Sequence, residues 1–338
     1  MKRYLLCLAI ILAIPVVAQE TLNTVINTLK ERITLQGYAQ AGYTYDDAED
    51  PDNTFDIKRI IFIMDGKITD KWSCTFMYDF KQGGSLVEYY TDYSFLPGLS
   101  ARFGQYKIPF TIENPFSASS VELIDSYFQS TLYMAGVNNS DKLLGGSSGR
   151  DIGLMLYGDL FNKFLSYRIA IMNGQGINQK DRNNQKDIIG GIDINPTSWL
   201  MLATSFMKGK GHAMGTTELN PSIQYGDNYN RNRWAIGGTV KLKDFTLRSE
   251  YMIGKDRSVK SEGYYAVGTL TVLPKFDVIA AYDYLNKSKE INAKQTNYIA
   301  GVQYWFYPRC RLQAQYTYSD KKQEDSSNKI QLQVQVRF

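Results

Sequence analysis

Histidine is nearly absent: His212 is the only one in 338 residues. Hydrolytic sites usually need a histidine base beside a nucleophile or an activated water. His212 lies in Gly209-Lys210-Gly211-His212, expected in a loop, with no acidic neighbour close in sequence. No metal-ligand spacing is visible and no cofactor is expected. Cysteine is also scarce, at Cys7, Cys74 and Cys310. Cys74 and Cys310 fall in segments predicted to lie several strands apart, beyond the reach of a disulfide. They read as two small apolar side chains. Charge of one sign is lacking too, with 38 basic against 34 acidic side chains. A chain so balanced carries no field for nucleic acid.

Long hydrophobic runs are missing beyond the first eighteen residues, and mean hydropathy is −0.32. A protein that spans a membrane with helices, each needing about 20 apolar residues, is excluded. The leader itself has Lys2 and Arg3, a short apolar core from Leu5 to Ile14, and the small-residue site Val16-Val17-Ala18. That is the pattern of a cleaved export signal over residues 1–18. Its core is too short to span a bilayer, and Cys7 comes too early for a lipid-modified cleavage site. Loss of Lys2 and Arg3 lowers the formal charge from +4 to +2. Residues 19–31 place Leu22, Val25, Ile26 and Leu29 at helical spacing, which predicts a short periplasmic leader helix.

What is abundant is period-two alternation and tyrosine, 25 of them beside 16 phenylalanines. Tyrosine favours strands and membrane interfaces. Near the C-terminus Ile330, Leu332, Val334, Val336 and Phe338 share one face, and Gln331, Gln333, Gln335 and Arg337 the other. Sixteen strands are predicted: 32–45, 54–68, 72–80, 86–95, 100–108, 148–158, 164–173, 186–195, 199–208, 231–242, 245–253, 262–273, 276–284, 295–306, 309–319 and 328–338. Most match the 9–11 residues of a tilted membrane strand rather than the 5–6 typical of soluble proteins. Connections after even strands are short, such as 69–71 and 274–275. Those after odd strands are nearly all longer, among them 109–147, 209–230 and 254–261. Short periplasmic turns alternating with long outer loops imply an all-β transmembrane antiparallel barrel of about sixteen strands over residues 32–338.

Basic residues facing lipid at mid-membrane cost about 2–4 kcal/mol, so charged faces should point inward. This gives an inward set of Arg168, Arg233, Lys241, Arg248, Arg309, Arg311 and Arg337, opposed by Asp79, Glu88, Asp92, Asp187, Asp193, Glu250, Asp277 and Asp283. Lys58-Arg59 and Arg150-Asp151 put charge on both faces of their strands and leave those faces unassigned. The third outer loop, 109–147, is rich in apolar residues, including Phe116, Val121, Leu123 and Phe128. It is expected to fold into the lumen, the alternatives being an outward cap or a subunit contact. Lys107, Glu113, Glu122, Asp125 and Lys142 are its candidate constriction residues.

The run Phe103-Gly104-Gln105-Tyr106-Lys107-Ile108-Pro109-Phe110, followed by Glu113-Asn114, resembles the phosphate-selective porins O and P. So do Gly149-Arg150-Asp151-Ile152-Gly153, Asn173-Gly174-Gln175-Gly176-Ile177-Asn178 and the Lys58-Arg59 pair. The resemblance implies a sixteen-stranded outer-membrane barrel, usually trimeric, with an inward third loop and passive diffusion of anions. The terminal Phe338 resembles the signal read by the barrel assembly machinery. The mixed lining here favours small polar solutes with mild anion or phosphate preference. A barrel hydrolase and a closed structural or adhesive barrel are the competing readings.

Overall fold

The computed structural model describes residues 30–338 except 138, 139 and 323. The predicted signal 1–18, and the leader 19–31 apart from Lys30 and Glu31, lie outside the described residues. Sixteen antiparallel strands close into one barrel. They are β1 (Ile33–Asp46), β2 (Asn53–Lys67), β3 (Trp72–Asp79), β4 (Ser85–Leu96), β5 (Leu99–Lys107), β6 (Arg150–Leu160), β7 (Leu165–Met172) and β8 (Asp187–Thr197). They continue with β9 (Leu200–His212), β10 (Asn228–Lys241), β11 (Phe245–Asp256), β12 (Val259–Leu273), β13 (Phe276–Asn286), β14 (Lys294–Tyr307), β15 (Cys310–Lys321) and β16 (Ser327–Arg337). β1 pairs with β16, for example Tyr38 opposite Arg337, so no edge remains. Closure satisfies every ladder without water, as a membrane requires.

Burial runs opposite to that of a soluble protein. On β16 Gln331, Gln333 and Gln335 are 2%, 3% and 0% exposed, whereas Leu332, Val334 and Val336 are 50%, 38% and 48% exposed. Alternation therefore sorts polar groups inward and apolar groups toward lipid. Exposed Trp72, Phe95, Phe164, Trp199 and Tyr307 ring the short-turn end. At the other end Tyr264, Tyr282 and Tyr298 form a chain with centroid spacings of 5.7 and 5.4 Å. Aromatic belts of this kind sit at membrane–water interfaces.

Three sequence expectations need correction. The β11–β12 connection is a turn of residues 257–258, not a loop over 254–261, because both strands run to its tip. β9 extends to His212, which is a strand residue whose Nδ1 lies 2.9 Å from Asn228 Oδ1. Arg309 lies in the β14–β15 turn, exposed and at φ 63°, not on the inward face of β15. The two cysteines are free, and Cys310 Sγ approaches the Arg337 backbone.

The segment 108–149 enters the lumen and carries one short helix, α1 (Gln129–Ala135). Phe110, Val121, Ile124 and Phe128 are each no more than 1% exposed, which accounts for its apolar composition.

Candidate functional site

The loop does not sit centrally. It packs mainly against β9–β16 and leaves a cavity along β2–β8. Its underside is held by the inward polar side chains of the far wall. Arg248 donates to Glu113 Oε1 at 3.2 Å and to Glu122 Oε2 at 2.8 Å. Glu250 accepts the Ile112 N–H at 2.8 Å, and Tyr265 donates to the same carboxylate at 3.2 Å. The Phe128 ring stacks on Tyr265, 4.3 Å between centroids. Asp283 accepts the Gln129 N–H and the Ser130 hydroxyl, each at 2.7 Å, at the N-terminus of α1. There a carboxylate meets unpaired N–H groups.

The glutamine faces of β15 and β16 hold the loop's backbone and side chains. Ile124 N–H donates to Gln315 at 3.0 Å, Gln313 donates to Glu122 O at 2.9 Å, and Gln331 donates to Asp125 at 2.7 Å. An amide can donate and accept, so it satisfies backbone groups of either kind without adding charge. Arg311 donates to Val121 O at 2.8 Å, and Arg337 to Ser119 Oγ at 3.2 Å. Arg233 pairs bidentately with Asp256 at 2.8 and 2.9 Å.

This placement corrects the expected lining. Arg233, Arg248 and Arg311 face inward, but they are 3%, 4% and 1% exposed because the loop and neighbouring side chains cover them. Lys241 shares their face at the periplasmic end of β10 and is exposed there. Lys107 closes β5 rather than belonging to the loop; its ammonium donates to Tyr127 at 2.8 Å and to Phe116 O. Glu113, Glu122 and Asp125 all make contacts with the barrel wall beneath the loop. Lys142 lies apart from them, exposed in an outer recess.

The passage is a cavity of about 620 Å³ whose charged lining is Arg59, Arg102, Lys107, Arg150 and Arg168 with Asp79, Glu88, Asp159 and Asp193. Three of the arginines are paired on the wall. Arg150 meets Glu88 at 2.8 Å, and Arg168 meets Asp193 at 2.7 Å. Arg102 makes a bidentate pair with Asp92 at 2.9 and 3.0 Å and lies 3.8 Å over the Tyr90 ring. Arg59 donates to Gln40 at 2.9 Å and to Ser126 at 3.0 Å. The sequence reading missed Arg102, although Ser100 and Arg102 alternate with Ala101 and Phe103. It left Lys58-Arg59 unassigned for a physical reason. Gln40 pairs with Arg59 and Ala41 with Ile57, so Lys58 is a bulge residue. Both basic side chains then reach the loop, Lys58 at 3.6 Å from Asp125.

A recess of about 600 Å³ at the outer mouth is lined by Lys142, Lys287, Lys294 and Lys321 with Asp141, Glu218, Asp256 and Glu324. Lys287 sits 6.0 Å from the Tyr133 ring centroid. Burial lowers its ammonium below the usual lysine range, while the Lys321 hydrogen bond holds Glu324 below the usual carboxylate range. Among the described residues no group of acidic, cysteine or histidine side chains is arranged to hold a metal.

No curated protein sequence matches the chain. Solved structures share its fold at low identity. The anion-selective porin from Comamonas acidovorans superposes with a TM-score of 0.69 at 14% identity, covering 90% of this chain and 99% of that one. The outer membrane channel DcaP of Acinetobacter baumannii gives 0.66 at 13%, covering 90% and 97%. OmpT of Vibrio cholerae gives 0.66 at 12%, with the same coverage. The family model for Gram-negative porins matches residues 5–324, and this bacterial outer-membrane barrel belongs to that family.

Proposed function

We propose that the channel passes small polar solutes through the gap between loop 109–147 and the β2–β8 wall, with only a mild preference for anions. The observation that carries this reading is the pairing of the passage charges. Arg102, Arg150 and Arg168 each hold a carboxylate within 3.0 Å. A paired charge projects a weak field, and at physiological salt screening acts over about 8 Å. Five basic against four acidic lining groups leave a small positive excess, while the outer recess sets four lysines against Asp141, Glu218, Asp256 and Glu324 and adds no net charge. Unpaired basic rings favour anions in a pore; here most of that potential is cancelled locally. A dedicated phosphate site would need arginines free to fork onto phosphate oxygens. The lining therefore supports general diffusion over the phosphate selectivity that the resemblance implies. The homotrimer implied by the same resemblance belongs to this reading, and chemical crosslinking in native membranes tests it.

Single-channel recording in a planar bilayer tests the function. Discrete steps in potassium chloride, with a reversal potential shifted slightly toward the anion in a salt gradient, are expected. Replacing chloride with phosphate should lower the conductance without blocking it. A sealed barrel or a barrel hydrolase gives no steps.

A further inference from the structure

We infer that the lipid-facing outer end of β9–β12 is a docking site for a lipid headgroup carrying more than one phosphate. Cross-strand register builds it. Asn232 on β10 lies opposite Lys208 on β9 and opposite Lys255 on β11, and Lys255 lies opposite Lys260 on β12. The four side chains form one row over four neighbouring strands, all exposed on the outside of the barrel. The next row toward the periplasm is Phe206, Trp234 and Ile253, again direct neighbours and exposed at 47%, 37% and 41%, and it ends on β12 at Glu262, whose charge Lys289 takes up. Trp234, Ile253, Lys255, Lys260 and Lys289 line a shallow groove of about 430 Å³.

The row marks the edge of the apolar band. On β11 the outward side chains include Phe245, Leu247, Tyr251 and Ile253 before Lys255. On β9 the outward sequence changes from Leu202 and Phe206 to Lys208 and Lys210. The β11–β12 turn is only residues 257–258, so Lys255 and Lys260 sit at the tip of a short hairpin rather than high on a loop. Lipid headgroups begin where the apolar rows end.

These lysines face away from the lumen and take no part in conduction. Like charges directly opposite on paired strands destabilise the pair, and Lys255 and Lys260 are such a pair. Lys289 bridges Glu262 at 2.6 Å, whereas Lys208, Lys255 and Lys260 have no ion-pair partner among the described residues. An anion relieves that repulsion. Strands lie about 4.8 Å apart, so the row spans roughly 14 Å, too wide for one phosphate. A free anion also leaves Phe206, Trp234 and Ile253 uncovered, and a neutral lipid leaves the lysines unpaired. A headgroup with two phosphates and attached acyl chains answers both rows at once.

Native mass spectrometry of the folded protein in detergent tests this with three probes: a bisphosphorylated diglucosamine lipid, its monophosphorylated form, and phosphatidylcholine. The bisphosphorylated lipid should be retained best. The triple variant Lys208→Gln, Lys255→Gln, Lys260→Gln should retain it on the order of a hundredfold less, since each of the three basic groups near an anionic surface contributes on the order of 1 kcal/mol. Lys255→Gln alone should fall between. Unchanged single-channel conductance verifies that the variants fold. Equal retention by the triple variant overturns the proposal. So does full displacement of the lipid by inorganic phosphate, which would make the row a simple anion patch.

Discussion

The Asn114 side-chain amide donates to the Gly149 carbonyl at 3.0 Å and to the Ile108 carbonyl at 2.8 Å, tying together the two ends of the lumen loop. Gly149 has φ 68°, and a Cβ there would stand 2.3 Å from Asn114 Oδ1. Both residues belong to the runs that resemble the phosphate-selective porins. Further members of those runs meet at the same neck. Gln105 exchanges hydrogen bonds with Asn178 at 2.6 and 3.0 Å, and Asp151 accepts the Gly174 N–H. The shared motifs thus build the anchor of the loop. They say little about the solute: the neck contacts do not face the passage, and the motif residues that do, Arg59, Lys107 and Arg150, are each engaged by the wall or the loop.

Loosening that anchor should therefore show in the current. Gly149→Ala adds backbone strain of about 1–2 kcal/mol in the left-handed region, besides the clash. Asn114→Ala removes both side-chain ties, although the Gly149 and Ile108 carbonyls keep the backbone N–H groups of Ile108 and Phe110, so each lost hydrogen bond costs roughly 0.5–1.5 kcal/mol. Both variants should form heat-modifiable barrels with noisier, higher single-channel conductance. Traces identical to those of the wild type would show that the neck does not set the loop's position.

A second anchor is ionic. Arg248 joins Glu113 and Glu122; Arg248 and Glu113 are buried and Glu122 is half-buried. Removing one partner of a buried charged cluster typically costs about 3–5 kcal/mol. Arg248→Ala should release the middle of the loop, seen as faster limited proteolysis between residues 113 and 128 and as larger conductance. Arg248→Lys retains the charge but not the fork, so it should restore part of the protection.

The barrel was legible because its pattern is repeated sixteen times. Each strand alternates, and lipid exposure turns the alternation into an inside and an outside. Direction was readable for Arg168, Arg248 and Arg311 for the same reason. Exposure was not. Whether an inward arginine meets water depends on where loop 109–147 rests, and that is fixed by contacts between residues far apart in sequence, such as Gln315 with Ile124. Lys58-Arg59 was ambiguous because a bulge breaks the period-two rule locally. Arg309 was misplaced because a turn at the end of a strand continues its alternation in sequence but not in space.

Deleting residues 117–145 should raise conductance more than either anchor variant. It removes the apolar segment packed against β11–β16 and opens that half of the lumen to water. It also frees Arg248 and Arg311, so anion preference should rise with conductance. Unchanged conductance with an intact, heat-modifiable barrel would mean that the segment leaves the lumen in the membrane.

Selectivity should respond more to the acids of the passage than its small net charge suggests. Glu88 and Asp193 cancel Arg150 and Arg168 at 2.8 and 2.7 Å. Glu88→Gln with Asp193→Asn keeps the side-chain shapes and hydrogen-bonding oxygens but leaves two arginines without countercharge. Fixed charge within a Debye length sets which ion enters, and that length grows from about 8 Å at physiological salt to about 30 Å at 0.01 M. The double variant should move the reversal potential clearly toward the anion, most strongly at low salt, while Arg168→Gln should move it the other way. Neutralising Lys142, Lys287, Lys294 and Lys321 at the mouth should produce a smaller shift that disappears near 1 M salt, because those groups line an outer recess away from the passage and the Debye length there falls to about 3 Å. If the double variant folds and its reversal potential stays at the wild-type value, ions do not travel along the β2–β8 wall, and the passage must be sought elsewhere in the lumen.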